Sequence, residues 1–156
     1  KGTFFERLEA EGVTQMKHLK WLLLWRPWAG RRHAPELIAG GAGQRCDRVP
    51  AVHGDGFAFA CVHTGHTFAL RLDALGANDV HSWWFGPRAG EAADTGHHRA
   101  SDSATFDPSG DPTPGHDWVL VLDDASRGSK SPGTLWGMAL HLPPHQISET
   151  DTKNGQ

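Results

Sequence analysis

The 156-residue sequence lacks the features that mark several large classes of protein. It has only two cysteines and no Cys-x-x-Cys pair, which excludes a disulfide framework and leaves a zinc site short of ligands. No run of lysine or arginine appears and the net charge is −3, which argues against nucleic acid as a partner. The longest strongly apolar run, residues 21–25, is too short to span a membrane. We therefore expect neither nucleic acid nor a membrane as a partner.

The two cysteines, Cys46 and Cys61, fall in a predicted loop and a predicted strand. Two cysteines without a framework favour unpaired thiols. A single bridge in an oxidising compartment would also fit the sequence, so their pairing stays open.

Signatures of catalysis and of cofactor binding are missing as well. There is no Gly-x-Ser-x-Gly, and the Gly-Gly-Ala-Gly of residues 40–43 lacks the Lys and Ser/Thr of a phosphate-binding loop. Histidines in predicted loops have no carboxylate to complete a metal site, which favours surface positions: His63, His66, His97 and His98. Nothing predicts that two acids face each other across a cleft, as glycoside hydrolysis requires; the acids considered are Glu91, Asp107, Asp117, Asp123 and Asp124. We expect no catalytic residue, metal or cofactor in this chain.

Residues 4–26 have the apolar spacing of a helix. One stripe recurs every three or four residues: Val13, Met16, Leu19, Leu22 and Leu23. We expect Gly12 to break the helix, Thr14 to cap its second piece and Pro27 to end it. A lone helix cannot bury such a stripe, so it should pack on the rest of the chain or on another domain.

From residue 48 the apolar period changes to two, which is typical of β-strands. About seven short strands spaced roughly ten residues apart predict a mainly β fold, an antiparallel β-sandwich over residues 48–126. Thr64 and Gly65 are expected to form a hairpin turn. Residues 117–124 are apolar on both faces and predict a central strand, with Trp118 in the core. Residues 1–30 are then a terminal helix, 31–47 a linker or covering loop and 127–156 an irregular or disordered tail.

Two adjacent tryptophans lie in the predicted strand of residues 79–85. Val80 marks one face as core and Trp84 shares that face, whereas Trp83 points the other way with His81. The pattern favours Trp83 being covered by core or interdomain contacts. Stacking of Trp83 on a sugar is the alternative.

Three stretches together resemble the apiosidase-like glycoside hydrolases. VTQMKHLKWLLLWRPW is similar to the last helix of their catalytic barrel, and FDPSGDPTPGHDWVLVLDDASRG to the closing strand of their C-terminal module, labelled a "putative collagen-binding domain". VHSWWFGPRAGEA is similar to that module's W-W-F-D-P-R-T-G-E-A turn. Gly86 and Ala89 stand where the turn has Asp and Thr, and Gly86 removes a side-chain acceptor that would fix the turn.

The resemblance implies the C-terminal end of a larger secreted or periplasmic enzyme of carbohydrate metabolism. A (β/α)8 barrel would hold the catalytic carboxylates, and the apolar stripe would pack on it. We expect a non-catalytic accessory module that packs against and supports this barrel. The alternative is an autonomous module that binds polysaccharide or collagen through Trp83, His81 and Arg88. A small enzyme in its own right is the third and least favoured hypothesis.

Overall fold

We describe the fold from a computed structural model, in which residues 11–101 and 103–133 are described. The helix α1 spans Glu11–Trp25. Nine strands follow in the described part of the chain: β1 Arg32–His33, β2 Ile38–Gly40, β3 Ala51–Gly54, β4 Phe57–Val62, β5 Phe68–Arg71, β6 Asp79–Gly86, β7 Glu91–Arg99, β8 Ser103–Phe106 and β9 Trp118–Asp124. The start of the predicted helix and most of the predicted tail, residues 134–156, lie outside the described residues.

The strands form two antiparallel sheets, which confirms the predicted β-sandwich. One sheet has the order β1-β3-β4-β9-β6-β7 and the other the order β2-β5-β8. β9 lies between β4 and β6, so residues 117–124 do supply a central strand. Residues 31–47, expected as a linker, contribute β1 and β2 to the two sheets.

Two details of the strand prediction are wrong. Thr64 and Gly65 form no hairpin turn, because β4 pairs with β3 and β9 whereas β5 pairs with β2 and β8 in the other sheet. His97 and His98 lie in β7 and not in a loop, since pairing with β6 extends β7 to Arg99. A register shift between Ser82 and Trp83 accommodates one extra residue of β7.

The core between the sheets follows the period of two. Val80 and Trp84 are buried on this face, as predicted, at 0% and 5% exposure. Phe68 of β5 meets Trp84 edge to face, with ring centroids 5.9 Å apart. β4 turns its alanines and Val62 to this core. Its phenylalanines face the opposite side of the sheet, where α1 packs.

The C-terminal part of α1 packs on the outer face of the six-stranded sheet and forms a second core there. Its sheet-facing side chains are Leu22, which is 1% exposed, and Trp25. Trp25 meets Trp83 edge to face at 6.4 Å between ring centroids. The sheet contributes Phe57, Phe59, Trp83, Phe85, Val119 and Val121. Full burial of one such side chain contributes about 1.5–3 kcal/mol, so α1 belongs to the folded unit.

The predicted apolar stripe of α1 does not face a single surface. Of its five members only Leu22 is buried and Leu19 is half-buried, whereas Val13, Met16 and Leu23 are exposed. The helix also continues through Gly12 and Thr14, which neither break nor begin it. Among the described residues, no helix is long and apolar enough to cross a membrane.

An ion pair fixes the C-terminal end of α1 to β9. Arg26 donates from Nε and Nη2 to the two carboxylate oxygens of Asp123, each at 2.8 Å. Its guanidinium stacks on the Trp25 ring, 3.2 Å from the ring centroid. Asp123 is only 1% exposed, and burial raises the pKa of its carboxyl more than Arg26 lowers it.

Removing the arginine should destabilise the fold in a pH-dependent way. Arg26→Met is expected to lower the free energy of unfolding by about 3 kcal/mol at neutral pH, because Asp123 stays buried without a cation. With its folded-state pKa raised, the charged carboxyl costs stability above that pKa. This cost disappears as the pH falls from the raised pKa toward the ordinary aspartate pKa of about 4, because the carboxyl then takes up a proton. Urea unfolding should therefore show a smaller deficit in acid.

The control is Arg32→Met, which breaks the exposed pair between Arg32 and Glu36. Its unfolding midpoint should stay close to that of the unaltered chain, because exposed pairs contribute little. Equal deficits at neutral and acid pH for Arg26→Met would contradict the role given to Asp123.

Trp83 should act as a structural residue. Trp83→Ala empties a site that is 2% exposed beneath α1, and we expect a loss of about 3–5 kcal/mol in unfolding free energy. Trp28→Ala is the matched control, because Trp28 is 79% exposed and its removal should leave stability nearly unchanged. Similar stabilities for the two variants in thermal and urea unfolding would refute this assignment.

Candidate functional site

The structure brings together two of the three predicted ligand-binding residues. His81 and Trp83 lie on the outer face of β6 with ring centroids 3.8 Å apart. Arg88 lies in the turn beyond the far end of β6, and the strand's rise separates it from His81 by about 17 Å. A ligand could stack on Trp83 only if α1 moved away, because Trp25 covers it. Ligand binding by this trio stays a prediction.

His81 is held by side chains of β7. Its Nε2 lies 3.0 Å from both carboxylate oxygens of Asp94, and the His97 ring stacks on it at 4.1 Å. The hydrogen bond from His81 lowers the pKa of the Asp94 carboxyl. Within residues 11–101 and 103–133, no group of three or more histidine, cysteine or acidic side chains is arranged to hold a metal ion.

Four of the five acids considered for catalysis have defined side-chain partners. They contact cations, a histidine or hydroxyl groups: Asp107 with Thr67, Asp117 with His63 and Arg88, Asp123 with Arg26, and Asp124 with Ser126 and Arg127. Each of these contacts links two segments or closes a turn. These contacts fit a structural role for the four acids.

An open groove of about 470 Å³ lies between α1 and one end of the sandwich. We call it the α1 groove. Its apolar lining includes Met16, Leu19, Pro50, Val62, Pro87 and Trp118. Its volume is within the range of small-molecule sites, which are about 300–1,000 Å³ and mostly apolar. Cys61 also lines the groove and carries a free, exposed thiol.

A set of connected polar side chains lies along the same groove. Asp117 Oδ1 is 2.7 Å from His63 Nδ1, and its Oδ2 accepts a hydrogen bond from Arg88 Nη2 at 3.3 Å. Arg48 lines the groove too. The indole Nε1 of Trp118 is buried and has no acceptor among the described residues. An unpaired buried donor of this kind costs about 1–3 kcal/mol.

Of the three predicted ligand-binding residues, only Arg88 lines this groove, together with His63 and Asp117, for which the sequence predicts no binding role. Trp118 was expected in the core and is instead half-buried, packed against the core while also lining the groove. The lining residues come from α1, β4, β9 and the loops before β3, after β4, after β6 and before β9, which are far apart in the sequence. Only their assembly makes the groove.

Comparisons with known proteins agree with this architecture. A family model described as "Putative collagen-binding domain of a collagenase" matches residues 34–123. A solved structure titled "Glycoside hydrolase" is 27% identical with a TM-score of 0.75, covering 81% of this chain and 28% of that one. A glycoside hydrolase family 5 structure from Bacteroides vulgatus ATCC 8482 is also 27% identical, with a TM-score of 0.74, and the match covers 80% and 27% of the two chains. No curated protein matches.

The match to the family extends over most of both sheets. It begins just after β1 and ends one residue before the end of β9, so it includes the Trp83–Trp84 strand and the central strand. The chain spans little more than a quarter of the length of the two solved glycoside hydrolases. Because the match covers more than half of the sequence, the chain belongs to the family described as the "putative collagen-binding domain of a collagenase".

Proposed function

We propose that the chain is a non-catalytic accessory module of a glycoside hydrolase and that α1 packs the sandwich against the catalytic barrel. The observation that carries this proposal is that α1 has two apolar faces. One face is buried on the six-stranded sheet through Leu22 and Trp25. The other is exposed to solvent.

The exposed face of α1 has the composition of a packing surface. Its apolar members are 42–63% exposed and spaced as one ridge: Val13, Met16, Leu23 and Leu24. Trp28, just beyond the helix, is 79% exposed. Ridges of this spacing fit the grooves of a second helix. A helix that is apolar on opposite sides is normally buried on both, so this face calls for a further partner.

The size and names of the similar solved structures support a catalytic barrel as that partner. Both are titled as glycoside hydrolases, and this chain matches 28% and 27% of their lengths. The remaining part of such a chain is large enough for a catalytic barrel. We infer that the corresponding part of the parent protein covers the exposed face of α1.

The contacts at the end of α1 suit a supporting module. Arg26 binds Asp123, and Arg31 donates hydrogen bonds to the carbonyls of Leu23, Arg26 and Pro27. The helix end is therefore fastened to the sandwich and to the segment that follows it. A barrel that packed on α1 would be held in a defined orientation relative to the sandwich.

A charge on the exposed face should weaken the catalytic domain without harming the sandwich. In the full-length parent enzyme, Leu24→Glu is expected to lower the melting temperature of the catalytic domain by about 5 °C, because one apolar contact is replaced by a charge. In the 156-residue chain the same change should have little effect, since Leu24 is 48% exposed there. Calorimetry of both proteins measures this difference.

Ala39→Glu provides the control, because Ala39 is exposed on β2 in the sheet remote from α1. It should leave both melting temperatures nearly unchanged. A catalytic domain that is unaffected by Leu24→Glu, or equally affected by Ala39→Glu, would rule out packing through this face.

A further inference from the structure

We propose that the α1 groove binds an acidic glycan, a sugar chain that carries uronate carboxylates. The inference rests on the proposed function, because it assumes that the module acts beside a glycosidase. It concerns the α1 groove, which shares only Met16 with the exposed ridge, and it names a ligand class for that groove. Its evidence comes from the shape, lining and charge of the groove.

The walls of the groove suit sugar rings. A pyranose ring has apolar C–H faces and a polar edge, so it needs apolar surface beside hydrogen-bonding groups. Pro50, Pro87 and Trp118 give rigid apolar surface, and Met16 and Leu19 of α1 form the facing wall.

The polar side chains supply the hydrogen bonds that hydroxyl groups need. The carboxylate of Asp117 is an acceptor held in place by His63 and Arg88. The guanidinium groups of Arg48 and Arg88, which also line the groove, are the donors. Donors and acceptors therefore lie beside the apolar walls.

The charge of the groove favours an acidic ligand. Its two arginines, Arg48 and Arg88, exceed its single acid, Asp117, when His63 is neutral. Arg88 is 57% exposed and its contact with Asp117 is long, at 3.3 Å, so its guanidinium can turn toward a ligand. A guanidinium binds a carboxylate through two parallel hydrogen bonds, which a neutral sugar cannot offer.

Affinity electrophoresis of the 156-residue chain tests the proposal. Gels contain polygalacturonate, the neutral polymer galactomannan or no polymer, and sedimentation with insoluble fibrillar collagen forms a separate arm. We expect retardation by polygalacturonate alone. Arg88→Ala and Arg48→Ala should each raise the dissociation constant about tenfold, since each removes a charge-assisted hydrogen bond. Both residues are exposed, and circular dichroism should show that the variants remain folded.

Arg71→Ala is the matched control, because Arg71 is an exposed arginine on β5, in the other sheet. It removes the same charge and should change the dissociation constant less than about twofold. The proposal is overturned by absence of retardation, by equal retardation in galactomannan, by binding to collagen instead, or by an equal loss for Arg71→Ala.

The same assay separates this proposal from the proposed function. Leu24→Glu alters the exposed ridge and not the groove, so it should leave polygalacturonate binding intact. Loss of glycan binding in Arg88→Ala with normal melting of the parent's catalytic domain would support the groove as a separate site. No binding by any form, with the Leu24→Glu effect present, would overturn the groove alone.

Discussion

The buried pair between Arg26 and Asp123 is the constraint on which the rest of the arrangement depends. Asp123 lies on the outer face of the central strand, in register with Phe57 on one side and His81 on the other. A carboxylate in such a face is tolerated only if a cation meets it. Arg26 is the residue directly after α1, so the pair sets where the helix must end on the sheet.

Once that end is fixed, the remaining features of α1 follow from its periodicity. Leu22 and Trp25 lie one turn apart and both reach the sheet. Val13, Met16 and Leu24 then lie on the side away from the sheet, and Met16 and Leu19 line the α1 groove near the start of β9. The exposed ridge and the α1 groove are therefore two consequences of one anchor. A displaced helix would remove one wall of the groove as well as the packing surface.

The sandwich could be predicted because consecutive side chains of a strand point to opposite faces, so alternating apolar residues show which face is buried. Val80 and Trp84 were assigned to the core and Trp83 to the other face by alternation alone, and the sheet confirms both. Alternation carries no information on which strands pair. Alternation therefore predicts a hairpin at Thr64 and Gly65, although the chain there passes from one sheet to the other.

The packing of α1 on the sheet was harder to predict because both surfaces have ambiguous patterns. The outer face of β4 carries Phe57 and Phe59. A strand that is apolar on both faces indicates only that its outer face is also covered, and not by which element. The helix likewise has more apolar residues than one face requires. The informative residue is Asp123, the first of two acids that end an otherwise apolar central strand, because it requires a cation once it is buried. Arg26, next to two tryptophans at the end of an apolar helix, was a suitable source, but only a three-dimensional arrangement selects it from the other arginines.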